Sequence, residues 1–222
     1  MSKSPKKKKT PVQERRDEEK EARRQQIIDA AERVIRKHGW EATNFGEIAK
    51  RARLSRSLVY FYFPTRDDLF HAVCDRGMAD LERRFQKAIE AHARGIDQLM
   101  AVGRAYHEFS VAEPLYFELL TVFQARPFET EGQGEAEAQV HDHGRNCLGL
   151  VAVALANGLA DRSVRKNLGD PAHAAVLIWA FTHGMIQIAK QKEEMLKEHF
   201  GLTAEKTLQQ GFELLRTSFS AR

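Results

Sequence analysis

The stretch NFGEIAKRARLSRSLVYFYFPTRDDL, residues 44–69, decides the fold because it carries three helix start signals in quick succession. Asn44 is a favoured N-cap residue, and Glu47 stands three residues later, where a capping box has its acidic partner. Ser55 and Thr65 are the second and third N-cap residues. Between these two signals there is room for a helix of only about six residues, which needs its neighbours to hold it.

Two short helices joined by a tight turn are typical of a helix-turn-helix, whose second helix enters the major groove of DNA. The second helix here begins with a cation and a hydroxyl, Arg56 and Ser57, and continues into four consecutive aromatic residues, 60–63. Four adjacent aromatic side chains are too many to bury in one small core. We therefore expect Val59 and Phe63 to face the core and the other side chains to face a partner.

The positive charge of the chain is concentrated around this stretch. Residues 1–66 carry 18 Lys and Arg against 9 Asp and Glu, whereas the remaining residues carry 17 against 22. A positive excess in one segment indicates a polyanionic partner for that segment. The opening MSKSPKKKKTPVQ, residues 1–13, is basic and of low complexity, which predicts a disordered tail. Such a tail is either simply solvated or a mobile arm that touches nucleic-acid phosphates.

The rest of the chain shows helical patterns separated by short breaks, without alternating strand patterns or an internal repeat. A first helix is expected from Glu14 to a stop at Gly39. The segment RPFETEGQGEAEAQ, residues 126–139, lacks apolar periodicity and predicts a mobile loop, whereas residues 147–160 are apolar on nearly every face and predict a deeply buried helix. The last two long helices are expected over about 171–199 and 204–219.

Enzymatic interpretations find little support in the sequence. A ferritin-like metalloenzyme needs Glu-x-x-His pairs on bundle helices, and no histidine here has a glutamate three residues before it. The HDH run at 141–143 offers two histidines in a polar loop with no further ligand evident. The nucleophile elbow, the phosphate-binding glycine loop and the dinucleotide fingerprint are all missing from the sequence. We therefore expect no catalytic residues, no metal and no cofactor.

The sequence also bears on the compartment in which the protein works. Cys74 and Cys147 lie far apart without metal-ligand spacing, which fits two buried thiols in a reducing cytoplasm. No run approaches the roughly 18 apolar residues that a membrane span needs, and the basic start has no apolar region of a secretory signal behind it. A membrane-surface or scaffold protein anchored by its lysines is the alternative, although four lysines alone bind a membrane weakly.

The run GWEATNFGEIAKRARLSRSLVYFYFPTRDDLFHAV, residues 39–73, resembles the DNA-binding domain of the tetracycline-repressor (TetR) family of transcriptional regulators. The matching features occur in the family's order and spacing: Gly39, Ala42-Thr43, Ile48-Ala49, Ala52, Ser55, Val59-Tyr60, Tyr62-Phe63, Arg66-Asp67 and Leu69. Three positions depart from the usual pattern, because Arg53 and Ser57 stand where glycine is common and Leu58 where a hydroxyl residue is common. Arg53 must therefore adopt the conformation of the tight turn although, unlike glycine, it carries a side chain.

The resemblance implies an all-α fold, with an N-terminal three-helix helix-turn-helix DNA-binding domain followed by a larger helical ligand-binding and dimerisation domain. The expected boundaries are residues 1–13 for the tail, 14–66 for the DNA-binding domain and 67–222 for the effector-binding and dimerisation domain. The expected function is that of a homodimeric repressor in the cytoplasm, released from a palindromic operator in double-stranded DNA by a small apolar or aromatic ligand.

The resemblance and the pattern of the short helix together predict the DNA-contacting residues. Arg56 is suited to a bidentate contact with guanine, the tyrosine hydroxyls to phosphate oxygens, and Phe61 to a thymine methyl group. The predicted set is Thr43, Asn44, Ser55, Arg56, Ser57, Tyr60, Phe61, Tyr62 and Arg66. Alternatives remain open: Arg56 as a solvated surface residue, the tyrosines as half-buried core, Phe61 packed under the fourth helix, and Thr43 in a role at the start of the second helix.

The resemblance also places a ligand cavity and a dimer interface in the second half of the chain. The predicted ligand-binding residues are Tyr106, His107, Phe109, Phe117, Phe123, Trp179 and His183. The predicted dimer-interface residues are Ala180, Gly184, Phe212, Leu215 and Phe219. Each of these residues has ordinary core packing as its alternative.

Overall fold

The computed structural model describes residues 10–128 and 134–221, which form ten α-helices. In chain order these are α1 (Pro11–His38), α2 (Phe45–Ala52), α3 (Arg56–Tyr62), α4 (Arg66–Glu90), α5 (Gly95–Ala112), α6 (Pro114–Gln124), α7 (Glu135–Ala160), α8 (Pro171–Gln191), α9 (Glu193–Phe200) and α10 (Ala204–Phe219). The predicted all-α fold is confirmed. The chain divides into two compact units, Met1–Val73 and Cys74–Arg222, and α4 begins in the first and continues into the second.

The first helix begins earlier than the sequence pattern predicts. Thr10 and Gln13 form a capping box, in which the Thr10 hydroxyl accepts from the Gln13 N–H and the Gln13 side chain accepts from the Thr10 N–H. This cap satisfies two of the free N–H groups at the helix start. Residues 11–13, predicted to be disordered, are therefore helical, while residues 1–9 of the predicted tail lie outside the described residues.

The caps of α2 and α3 fix where the two short helices begin. The Asn44 side chain accepts from the Glu47 N–H at 3.0 Å, and the Ser55 hydroxyl accepts from the Leu58 N–H at 3.2 Å. Glu47 does not complete a capping box, because its carboxylate lies 3.0 Å from His38 Nε2 at the end of α1. That part of the prediction is wrong, and the carboxylate instead joins the end of α1 to the start of α2.

The turn between α2 and α3 contains Arg53, a residue with a side chain, in the left-handed conformation. Arg53 has φ 56° and ψ 41°, a conformation that costs a residue with a Cβ roughly 1–2 kcal/mol. Its N–H donates back to the Lys50 carbonyl at 3.2 Å, and the Leu54 N–H donates to the Ala49 carbonyl at 2.9 Å. These two bonds close the end of α2 and turn the chain into α3.

Replacing Arg53 with glycine is expected to raise the free energy of unfolding by about 0.5–1 kcal/mol, because relief of the left-handed strain exceeds the entropy that glycine loses. Arg51→Gly is the matched control: it removes the same charge from the helical part of α2 and should lower stability by a similar amount. Urea unfolding of both variants measures the difference. Two losses of equal size would show that Arg53 is not strained.

In the second unit, α5 and α7 approach each other at two glycines. A Cβ on Gly95 would lie 2.0 Å from the Gly158 nitrogen and 2.6 Å from the Ala154 carbonyl oxygen, so only glycine fits there. The Asp161 carboxylate accepts from the Gly95 N–H at 2.7 Å and from the Ser163 N–H at 2.7 Å. Hydrogen bonds from Ser163 and Gly95 hold the pKa of Asp161 below its usual value. Together these contacts fix the start of α5 against the end of α7.

Three features of this unit differ from the sequence prediction. The helix α7 begins at Glu135, inside the segment predicted to be a loop, and residues 129–133 of that segment lie outside the described residues. The later part of α7 is not buried on every face, because Val153 is 48% exposed. The predicted helix over 171–199 is interrupted at Lys192, whose φ of −120° and ψ of 21° separate α8 from α9.

Among the described residues, α8 alone is long and apolar enough to cross a membrane. A core helix passes the same test of length and composition. Ala174, Ile178, Thr182 and Ile186 of α8 are buried, and the helix packs against α7 and α10. The apolar length of α8 is therefore weak support for a membrane span.

Candidate nucleic-acid interface and ligand cavity

The short helix α3 has one buried face and one exposed face. Val59 and Phe63 are fully buried, as predicted from their spacing. Arg56 and Ser57 are exposed, and the Phe61 ring is 71% exposed. A seven-residue helix with a cation, a hydroxyl and an aromatic ring in solvent has the composition of a surface that meets a partner.

Arg56 and Tyr60 form a pair on this exposed face. The Arg56 guanidinium donates to the Tyr60 hydroxyl at 3.3 Å and lies 5.5 Å from the centroid of its ring. Tyr60 is 44% exposed, and its ring rests on Phe45 of α2 with 4.8 Å between centroids. Because Phe45 is buried, α2 supports the tyrosine from below and the tyrosine in turn orients the arginine. The pair is therefore preorganised to present a planar guanidinium to a flat acceptor.

Tyr62 is half-buried and stands beside a basic part of α1. Its ring meets Phe61 edge to face at 5.3 Å, and it lines a groove with Arg16, Lys20 and Arg23. Cations beside a phenol hydroxyl suit phosphate oxygens. The aromatic run thus divides into two buried or half-buried rings and two exposed ones.

The other predicted DNA-contacting residues have structural partners of their own. Thr43 is 4% exposed and its hydroxyl donates to the Gly39 carbonyl at 2.8 Å, so its side chain faces the protein interior. The Arg66 guanidinium donates to the Trp40 carbonyl at 2.9 Å and lies 5.1 Å from the Trp40 ring centroid. Asn44 and Ser55 are exposed, but their side chains serve as N-caps. Direct DNA contact by these four side chains stays a prediction.

The second unit contains a cavity of about 520 Å³ among α4, α5, α6, α7 and α8. Its lining is mostly apolar and includes Leu81 and Phe85 of α4, Leu99 and Val102 of α5, and Val151 of α7. A concave, apolar site of this size is typical of a small-molecule binding site. Burial raises the pKa of Cys147, which also lines the cavity, to about 12, so the thiol is un-ionised and inert.

A group of polar side chains meets at the Tyr106 hydroxyl. Tyr106 lies 2.7 Å from His183 Nδ1, and Gln124 and Trp179 also hydrogen-bond to the tyrosine. Burial raises the pKa of Tyr106 and lowers the pKa of His183. Both groups are therefore neutral at neutral pH. The hydroxyl and the neutral imidazole therefore share one hydrogen bond, in which Nδ1 accepts or donates according to its tautomer.

The predicted ligand-binding residues fall into three groups. Tyr106, Phe123 and Trp179 line the cavity. Phe117 and His183 stand beside Tyr106, with ring centroids at 5.8 Å and 6.0 Å from it. His107 is half-buried outside the lining, and Phe109 is fully buried beneath Arg84 of α4. The aliphatic lining residues of α4, α5 and α7 were missed because their spacing is that of ordinary core.

The two histidines of the HDH run lie in α7 and not in a loop. His141 is held between the rings of Phe123 and Phe128, at 4.9 Å and 4.8 Å. His143 contacts Glu82 of α4 through Nδ1 and lies 3.6 Å from Asp75 through Nε2. The two rings therefore have separate partners, and His143 joins the cavity wall of α7 to α4.

The low pKa of His183 has a consequence for stability. Burial lowers the pKa of His183 in the folded chain below the ordinary value of 6.5. At pH values between the pKa of the folded chain and that of the unfolded chain, the unfolded chain therefore binds more protons. Stability is expected to fall as the pH drops through about 6.5, and to recover as it rises again. Urea unfolding over a pH series measures this slope, which should be shallower in His183→Gln. An identical slope in the variant would contradict the assignment.

The predicted dimer-interface residues differ in burial: some are buried or half-buried, and others are exposed. Leu215 is 6% exposed and belongs to the core, whereas Phe212 is half-buried and packs against Gly103 of α5. Phe219 is half-buried beside Arg165, whose guanidinium lies 5.6 Å from the ring centroid. On α8, Ala180 is exposed and Gly184 is half-buried.

An apolar stripe lies on the surface of α8. Leu177, Phe181 and Ile188 are 67%, 39% and 52% exposed, and they follow helical spacing with Gly184 between them. No described atom within 4 Å would meet a Cβ on Gly184. Leu214 of α10, which packs beside α8, is 57% exposed. We call Leu177, Phe181, Gly184, Ile188 and Leu214 the α8 face.

Each of the two units contains a segment that matches the model of a known protein family. The chain matches the family models described as "Bacterial regulatory proteins, tetR family" over residues 27–73 and "Tetracyclin repressor-like, C-terminal domain" over residues 99–214. It is 25% identical to the HTH-type transcriptional regulator TtgR of Pseudomonas putida, over 94% of this chain and 98% of the relative.

Other similarities are shorter or concern the fold alone. The chain is 30% identical to the HTH-type transcriptional regulator HbdR of Aromatoleum over 39% of its own length, and it spans 38% of that relative. The transcriptional regulator FadR from Bacillus subtilis, solved in complex with stearoyl-CoA, has a TM-score of 0.67 and 18% identity over 87% of this chain and 98% of the other. These relatives are regulators and not enzymes. Because the C-terminal family model alone covers more than half of the chain, this protein belongs to the tetracycline-repressor family of DNA-binding transcriptional regulators.

Proposed function

We propose that the protein is a cytoplasmic homodimeric repressor that leaves a palindromic operator when a small apolar or aromatic molecule fills the cavity of the second unit. The observation that carries the proposal is the exposed face of α3, where Tyr60 orients Arg56 above a fully buried Val59. That arrangement has no role in the core, and the family supplies duplex DNA as its partner.

Base recognition is assigned to the exposed residues of α3. In a helix-turn-helix the residues near the start of the second helix contact base edges, and here these are Arg56 and Ser57. An arginine held by a tyrosine suits the O6 and N7 acceptors of guanine. Phe61 offers an apolar ring to a thymine methyl group, while Tyr62 and the neighbouring cations of α1 suit the phosphates.

Dimerisation is assigned to the α8 face. Three large apolar side chains in one stripe on a helix form a contiguous exposed apolar patch, which marks an interaction site. The open space above Gly184 lets a second helix approach closely. A two-fold dimer would place two copies of α3 in successive major grooves, about 34–36 Å apart, and would require a palindromic operator.

Release from DNA is assigned to the cavity. Its mostly apolar lining and neutral polar group at Tyr106 suit an uncharged ligand. A ligand lowers DNA affinity by its differential affinity for the DNA-binding and non-binding conformers. The FadR regulator of Bacillus subtilis, which has the same fold, was solved in complex with stearoyl-CoA, a ligand with a long apolar acyl chain.

Footprinting of the purified protein on genomic fragments that it retains tests the proposal. We expect two protected half-sites whose centres are about one helical turn, 10–10.5 base pairs, or a multiple of it apart. Addition of apolar metabolite fractions should remove the protection. A single asymmetric protected site, or protection that no fraction changes, would contradict the dimeric or the ligand-responsive part respectively.

A further inference from the structure

Two buried oxygen atoms in the cavity lining have no hydrogen-bond partner among the described residues. They are Gln124 Oε1, at the end of α6, and Thr182 Oγ1, on α8. Buried polar atoms in folded proteins are almost always paired, so an unpaired one in a cavity wall points to a group that the protein itself does not supply. Here two such atoms line the same cavity.

The Tyr106 hydroxyl explains why Gln124 keeps a free acceptor. Tyr106 hydrogen-bonds with the side chains of Gln124 and Trp179, and it lies 2.7 Å from His183 Nδ1. Because Gln124 Oε1 has no partner among the described residues, the hydrogen bond from Gln124 to the phenol oxygen is made by the amide N–H. Its Oε1 is left as an acceptor without a donor.

The charged residues of the cavity lining differ from these two buried oxygens in exposure. The formally charged lining residues are Arg126, Asp142 and Arg145, and all three are exposed. Asp142 and Arg145 contact each other through an ion pair. The buried part of the lining, by contrast, presents neutral oxygens amid apolar side chains. A ligand that fits this part carries a hydrogen-bond donor on an uncharged apolar body.

We propose that the cavity selects neutral, largely apolar alcohols and phenols, whose hydroxyl donates to Gln124 Oε1 and meets the Thr182 hydroxyl. The inference rests on the proposed function only in taking this cavity as the effector site. The chemistry of the two free oxygens makes a donor the deciding feature of the ligand. A molecule without that donor leaves Gln124 Oε1 unpaired, because an amide oxygen only accepts, whereas the Thr182 hydroxyl is also a donor.

The test compares 4-phenylphenol with its methyl ether, 4-methoxybiphenyl, in which a methyl group replaces the hydrogen that the phenol donates. Binding is measured calorimetrically on the full-length protein without DNA. We expect the phenol to bind about 10-fold more tightly than the ether, as one good hydrogen bond allows. In the variant Gln124→Leu/Thr182→Val, this preference should fall below about 3-fold while the ether binds as well as before.

The control variant is Leu99→Met, which changes an apolar lining residue and should keep the preference for the phenol. Thermal unfolding of each variant confirms that it is folded. Equal affinity for the two probes in the unchanged protein, a preference that survives the double variant, or no binding of either probe would overturn the inference. Release of operator DNA by the phenol is assayed separately. Binding with the stated preference but without release would count against the proposed function and leave the inference intact.

Discussion

Replacing Leu177 and Phe181 with glutamate is expected to convert the protein from dimers to monomers and to weaken operator binding by about 100-fold or more. Each substitution places a carboxylate in the middle of the α8 face, where an apolar partner helix would have to desolvate it. Losing the dimer removes the second half-site contact, which otherwise occurs at high effective concentration. Sedimentation equilibrium gives the mass, and a titration of labelled duplex gives the affinity.

The control for this experiment is Val111→Glu/Val122→Glu. These two valines are also exposed, at 68% and 46%, but they lie on α5 and α6. The control introduces the same charge and should remain dimeric with unchanged operator affinity. If the α8 variant sediments as a dimer, or if both variants dissociate equally, the α8 face is not the interface.

Replacing Arg56 with alanine is expected to lower operator affinity by about 30-fold or more while non-specific binding changes little. A bidentate contact with guanine discriminates by about 1–3 kcal/mol, and a dimer makes it in both half-sites. Tyr60→Phe should produce a smaller loss, because it removes only the hydroxyl that the guanidinium bonds. Anisotropy titrations on specific and scrambled duplexes measure both effects.

Lys37→Ala is the matched control for Arg56→Ala. Lys37 is an exposed cation near the end of α1, so the variant loses the same charge without touching α3. We expect it to change operator affinity less than about 3-fold, as a general electrostatic contribution would. Equal losses of affinity in the two variants on both duplexes would show that Arg56 contacts phosphate and not bases.

The DNA-binding unit was predictable because its signals are local. N-cap residues such as Asn44 and Ser55 act within four residues, so their positions in the sequence locate the starts of α2 and α3. The burial of Val59 and Phe63 follows from helical spacing alone. Glu47 escaped prediction because its partner, His38, comes from another helix.

The second unit was less predictable because helical spacing does not say what covers an apolar face. Leu177 and Phe181 have the spacing of core residues, yet they are exposed. Likewise Leu99 and Val102 line a cavity with a pattern that also fits a packed core. No sequence pattern marks Gln124 and Thr182, because whether a side-chain oxygen lacks a hydrogen-bond partner depends on its neighbours in the folded structure.

Selection of binding sites from a randomised duplex library tests the central claim, that the exposed face of α3 reads sequence for a two-fold dimer. The purified protein and the variant Arg56→Ala/Tyr60→Phe are selected side by side at two salt concentrations. We expect a palindromic site for the unchanged protein, with half-sites spaced for successive major grooves, and a lost or relaxed site for the variant. Weak, equal binding of all sequences by both proteins, with steep salt dependence, would assign DNA binding to the basic N-terminal segment and contradict the role of α3.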